Sequence, residues 1–222
     1  MDLRAISIFE DLSDAALAAI EARCTIRSFE KRAEILGEND GASDVFFILA
    51  GTVRVTSFTD AGREVIFSDI STGGIFGEFS AIDHLPRSAS VVALTDCRLA
   101  RITAPAFFEV LHQHNTVSVH LVGLLVGKIR SMSERVFEVS ALAVRERVRR
   151  ELLRLALAGG SNSAGAIAID PAPTHYEIAA RIGSHREAVT REFNRLEAEG
   201  VVKVSRRSIH ILDLRRLRGA EE

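Results

Sequence analysis

Two short stretches, Gly73-Gly74-Ile75-Phe76-Gly77-Glu78-Phe79-Ser80 and Pro86-Arg87-Ser88-Ala89, hold residue types that suit one task between them. Glycines let backbone N–H groups approach an anion closely. Arg87 can clamp a phosphate, with the Ser88 hydroxyl and N–H beside it. Glu78 cannot bind a phosphate, but it can accept from a sugar hydroxyl. Together they describe a site for a ribose phosphate. The glycine spacing matches neither a Walker A loop nor a dinucleotide fingerprint, so nucleotide hydrolysis is not expected.

A second set lies nearer the C-terminus. Ser184-His185-Arg186-Glu187 has the form of a capping box, so a helix is expected to start sharply at Ser184 and run to Glu199. Its first turns present Arg186, Glu187 and Arg191. An Arg can read guanine O6/N7, and a Glu can accept from cytosine N4–H₂. Val189, Phe193 and Leu196, at spacings 4 and 3, make the opposite, buried stripe. A shorter helix over Thr174–Arg181 precedes it and is broken by Gly183. Val201–Ser205 and Ile209–Leu212 follow as a hairpin around Arg206-Arg207. Helix, turn, helix and hairpin is the winged helix-turn-helix order.

Something must hold these two sets in one molecule. Val122, Leu125, Ile129, Met132, Val136, Val139 and Ala143 recur at spacings 3, 4, 3, 4, 3, 4, an a/d seam narrower than the face of a helix lying on a core. Lys128, Arg130, Ser133, Glu134, Arg135 and Glu138 suit a solvated flank between them. A helix over about 116–143, paired with its twin in a homodimer, is expected.

Ahead of that seam, Asp14–Cys24 has a helical apolar pattern with Ser13 or Asp14 as its cap. Short β-prone runs follow at Val45–Leu49, Thr52–Phe58, Glu64–Phe67, Ala89–Leu94 and Arg98–Ile102, with a turn at Asp60-Ala61-Gly62. Strands at this spacing predict a sandwich or roll. Ala106–His112 predicts a short helix entering the long one. Beyond the seam, Arg145–Ala158 predicts a further helix ended by Gly159-Gly160, and Ile167–Asp170 a short strand.

Bulk properties narrow the setting. The chain has 222 residues, 47% hydrophobic and 26% charged, enough for one large domain or two modest ones. Net charge is −2, but residues 1–141 carry 13 Lys/Arg against 19 Asp/Glu, while residues 142–222 carry 15 against 11. A basic C-terminal part is what a DNA backbone contact needs. No apolar run is long enough for a membrane span, Met1–Asp11 does not read as a signal peptide, and a cytoplasmic setting is expected. Cys24 and Cys97 are too few for a zinc or iron–sulfur site. No Ser/His/Asp set, paired acids or metal ligands lie at useful spacing, so an enzyme is not expected.

GGIFGEFSAIDHLPRSASV, the long helix and EIAARIGSHREAVTREFNRLEAEGVV resemble the cyclic-AMP receptor protein/fumarate–nitrate regulator family of bacterial transcription factors, over about residues 5–213. The resemblance implies an α+β architecture: a β-roll cyclic-nucleotide-binding domain over 1–115, a dimerisation helix over 116–143 and a winged helix-turn-helix over 144–222. It implies that Gly77 and Glu78 hold the ribose and Arg87 and Ser88 the cyclic phosphate, with Ser68, Phe79 and Ser80 nearby. It gives Lys128 to Glu78, and Met132 and Ser133 to the base. A Thr-Ser pair usual in the cyclic-AMP type is Met132-Ser133 here, which leaves the base open; on family frequency cyclic AMP is expected first and cyclic GMP second. Implied DNA contacts are Thr174, Ser184, His185, Arg186, Glu187, Thr190, Arg191, Arg206 and Arg207, on a palindrome of TGTGA type. RNA polymerase is an expected partner, with Gly159–Gly165 as a contact loop. No metal, iron–sulfur cluster or haem is expected. The competing expectation is a regulator of this type that needs no ligand.

Overall fold

The computed structural model describes residues 2–159, 161–163 and 166–219. In chain order the elements are α1 (Asp14–Glu21), β1 (Thr25–Phe29), β2 (Glu34–Leu36), β3 (Val45–Ala50), β4 (Thr52–Phe58), β5 (Glu64–Ser71), β6 (Ile75–Phe76), α2 (Glu78–Asp83), β7 (Ser90–Ala93), β8 (Cys97–Ile102) and α3 (Ala104–Gln113). There follow α4 (Asn115–Ala141), α5 (Val144–Gly159), β9 (Ser161–Ser163), β10 (Ala166–Ile169), α6 (His175–Ile182), α7 (Arg186–Ala198), β11 (Val202–Val204), β12 (Ile209–Ile211) and α8 (Leu214–Leu217). The chain divides into two compact units, Met1–Arg130 and Ser131–Glu222.

The first unit is a β-roll of two antiparallel four-stranded sheets, ordered β1-β8-β3-β6 and β2-β7-β4-β5. Strand β3, Val45-Phe46-Phe47-Ile48-Leu49-Ala50, explains the layering. Its first four residues are all buried, so it does not alternate as a half-exposed strand does. Val45 and Phe47 face a helical layer with Phe9, Phe107, Val117 and Leu121. Phe46 and Ile48 face the other sheet with Val53, Phe76 and Leu99. Phe46 stacks on Phe76 at 5.2 Å between ring centres, and Phe9 meets Phe47 edge-on at 4.9 Å. Helix α1 opens at Ser13, whose hydroxyl accepts from the Ala16 N–H.

The stretch from Glu78, for which the sequence shows no helical pattern, contains a short helix, α2. The strands β1, β2, β6 and β9 and the helix α8 were likewise not foreseen. Along α4 the apolar seam needs correcting. Leu125, expected in the dimer seam, packs beside Leu124 against its own unit's core. Val122, Ile129, Met132, Val136 and Val139 of the expected seam are exposed, and Val119, Val126 and Phe137 are exposed beside them. Ala143 lies past the end of the helix. Arg135 and Glu138, expected on a solvated flank, are half-buried and buried.

In the second unit, β11-β12-β10-β9 form an antiparallel sheet. Val148, Leu152, Ile178, Val189, Phe193, Leu196 and Ile211 pack between it and the helices α5, α6 and α7. Helix α6 is the one with a capping box: the Thr174 hydroxyl accepts from the Glu177 N–H, and the Glu177 carboxylate accepts from the Thr174 N–H. Part of Gly159–Gly165 lies outside the described residues.

Candidate functional site

The cassette is built from β6, the turn at Gly77 and α2. Gly77 has φ +84°, and a Cβ there would stand 2.7 Å from the Asp44 carbonyl oxygen and 3.0 Å from Arg87 Nη1, so only glycine fits. That close approach brings Arg87 in. The residue is 3% exposed, and its guanidinium donates to the Gly77 carbonyl at 2.8 Å and the Asp44 carbonyl at 2.7 Å. Backbone bonds from Arg87 to Asp40 and from Asn39 to Arg87 hold this loop against residues 39–40. Arg87 Nε is buried with no hydrogen-bond partner. Burial lowers the Arg87 pKa, opposed by the negative charge of Asp44, Asp40 and Glu78. A buried, half-satisfied cation is a site that an anion would complete.

Glu78, the first residue of α2, is 2% exposed, and its Oε1 accepts from Lys128 Nζ of α4 at 2.6 Å. The same ammonium stands 5.3 Å from the centre of the Phe79 ring. Ser80 is buried in α2. Thus Gly77, Glu78, Phe79, Arg87 and Lys128 come together. Ser88 is exposed and Ser68 is half-buried on β5, opposite Val55 where the β4–β5 register shifts. Among the described residues neither is hydrogen-bonded to the side chain of Arg87 or Glu78. Met132 and Ser133 lie exposed on α4, in the second unit. Sequence reasoning missed Asp44, because a backbone carbonyl leaves no side-chain signal.

In the second unit α7 exposes Arg186, Glu187 and Arg191, and also Asn194, which was not foreseen. Val189, Phe193 and Leu196 are its buried stripe as expected. The His175 ring stacks on Phe193 at 4.6 Å, and its Nδ1 lies 2.9 Å from the Thr190 hydroxyl, which donates to the Arg186 carbonyl. Arg206 and Arg207 are exposed in the turn between β11 and β12. The expectation for Ser184 is corrected. It is buried and makes no cap; α7 starts two residues later, behind His185, with no side-chain cap. The reason is Gly183, at φ +62°: the chain closes α6 there, and the Ser184 N–H returns to the Ala179 carbonyl in a Schellman-type bond. Ser184 ends one helix instead of starting the next.

The cyclic nucleotide-binding domain family matches residues 26–114, and the Crp-like helix-turn-helix domain family matches residues 146–220. The chain belongs to the cyclic-AMP receptor protein/fumarate–nitrate regulator family. A CRP-like cAMP-activated global transcriptional regulator of Mycobacterium tuberculosis is 25% identical over 210 residues, covering 95% of this chain and 94% of that protein. The cAMP-activated global transcriptional regulator Vfr of Pseudomonas aeruginosa is 28% identical over 198 residues, covering 87% and 92%. A CooA mutant structure from Carboxydothermus hydrogenoformans superposes with TM-score 0.83 at 18% identity, covering 99% and 96%, a likeness of fold. This is therefore a DNA-binding transcription regulator of a family that is not enzymatic, with a β-roll cyclic-nucleotide-binding domain, a long helix and a winged helix-turn-helix. Among the described residues no helix is long and apolar enough to cross a membrane.

Proposed function

We propose that this chain is a cytoplasmic homodimeric regulator whose affinity for DNA is set by a 3′,5′-cyclic purine nucleotide, cyclic AMP before cyclic GMP. The observation that carries this is Arg87, buried beside Gly77 and Glu78 with its Nε unsatisfied. The cyclic phosphate would complete that cation, with Ser88 at its rim and Ser68 from β5. Glu78 would accept from the ribose 2′-hydroxyl while Lys128 keeps its charge compensated. Gly77, Phe79 and Ser80 shape the cassette. The family resemblance, not a contact, gives Met132 and Ser133 to the base.

The exposed stripe on α4 is the surface for the second copy: positions 119, 122, 126, 129, 133 and 136 keep spacings 3, 4, 3, 4, 3. Two reading heads then take a palindrome of TGTGA type, Arg186 and Arg191 on guanines and Glu187 on cytosine. Thr174, His185, Thr190, Arg206 and Arg207 hold the backbone, and RNA polymerase is the downstream partner. Ligand and DNA each favour one arrangement of the dimer, so each strengthens the other.

One observation favours a second reading. Arg87 already has two carbonyl acceptors, and Glu78 already has Lys128, so the cassette is held together without a ligand. On that reading the dimer binds DNA constitutively. Melting of the chain with and without saturating cyclic AMP separates the two: a ligand that binds the folded state raises Tm, and constitutive binding shows no shift.

A further inference from the structure

The C-terminal carbonyls of a helix lack partners within it. In α6 they are met from outside by two arginines. Arg135 of α4 donates through Nη1 to the Arg181 carbonyl at 2.7 Å. Arg147 of α5 donates through Nη1 to the Ile182 carbonyl at 2.5 Å and the Gly183 carbonyl at 3.3 Å. Two cations thus stand at the negative end of α6, where the chain turns toward α7.

A buried ion network supports them. Glu151 is 1% exposed, accepts from Arg154 at 3.0 Å, and has Arg181 at 3.8 Å and Arg135 at 3.9 Å. Arg154 also forks onto Glu138 at 2.8 and 2.9 Å. Burial pushes the Glu138 pKa up, but Arg154 and Arg150 overcome this and leave it lowered. Burial lowers the Arg135 pKa, with Glu151 opposing. Arg135, Arg147, Arg154 and Arg181 outnumber Glu138 and Glu151, and the carbonyls ending α6 take up part of the surplus charge.

We propose that Arg135 is a positioning residue for DNA reading. Its bond to the Arg181 carbonyl fixes α6 and the turn after it to the long helix, and so fixes the direction in which α7 is presented. The proposal rests on α7 being the reading helix.

The test uses the full chain and its Arg135→Gln and Arg135→Lys variants. Affinity for a duplex with two inverted TGTGA half-sites is measured with cyclic AMP present and absent, together with amide exchange. Glutamine is too short to reach the carbonyl and carries no charge, so about a tenfold loss of DNA affinity is expected. Lysine, keeping the charge and one donor, restores most of it. Exchange quickens over residues 182–189 in Arg135→Gln and stays at the wild-type rate over 148–156. An Arg135→Gln chain that binds DNA as tightly as wild type overturns the proposal alone, as does exchange that quickens equally across α5, α6 and α7. A wild type that binds no duplex overturns it together with the reading of α7.

Discussion

Lys128 of the long helix meets Glu78 of the cassette at 2.6 Å, and Glu78 is almost wholly buried. A carboxylate so placed needs its cation. Replacing Lys128 by Met is expected to cost about 1–3 kcal/mol, below the range for fully buried pairs because the ammonium is partly solvated. Glu78→Gln in the same chain should recover part of the loss. Denaturant unfolding of the two single variants and the double variant gives the coupling directly, and strict additivity would show that the pair contributes nothing.

The exposed stripe on α4 carries Val136 at 66% exposure and Ile129 at 63%. Val136→Asp would set two carboxylates facing each other in an apolar seam. The expected outcome is a monomer by sedimentation, with DNA affinity lost alongside. A dimer that persists would place the contact elsewhere.

On α7, Arg186→Ala should cost roughly 1–3 kcal/mol of DNA affinity and relax specificity at one base pair. Replacing Arg206 or Arg207 should weaken all sequences alike and flatten the salt dependence. Selection from random duplexes checks the assignment: half-sites without a G·C pair at the Arg186 position would contradict it.

Burial, and then the Arg186 cation, lower the His175 pKa below its usual value. The folded state therefore prefers neutral His175. Its contribution is full above the unfolded pKa of about 6.5 and is lost as pH falls through the lowered value. Wild type should lose more melting temperature than His175→Gln as the pH is taken from about 7.5 to about 5. Parallel pH curves would rule this out.

What could be read ahead of the structure follows from how local each signal is. β4 stands where Thr52–Phe58 places it, because its β-branched and apolar residues mark a strand by themselves. β1, with four of five residues exposed, and the two-residue β6 carry too little hydrophobic pattern to be seen. α4 is apolar on two sides, so spacing alone could not tell that Leu125 faces inward and Val126 outward. Ser184 through Glu187 has the letters of a cap, but the turn at Gly183 first commits the Ser184 N–H to the Ala179 carbonyl. At the cassette the residue types were legible; the pairing of Lys128 with Glu78 came from the family resemblance, since spacing alone put Lys128 on a solvated flank. The carbonyl partners of Arg87 and Arg135 were not legible, since every residue offers a carbonyl and only the fold selects which one.

Titration calorimetry of cyclic AMP and cyclic GMP into the full chain and its Arg87→Ala, Ser133→Ala and Met132→Thr variants tests the cassette most directly. Wild type should bind at least one of the two nucleotides. Arg87→Ala should bind neither, since it removes the buried cation that both phosphates need. Ser133→Ala and Met132→Thr should keep binding and change the ratio between the two bases. Full affinity in Arg87→Ala, or no heat from either nucleotide in wild type, would contradict ligand control and leave the constitutive dimer.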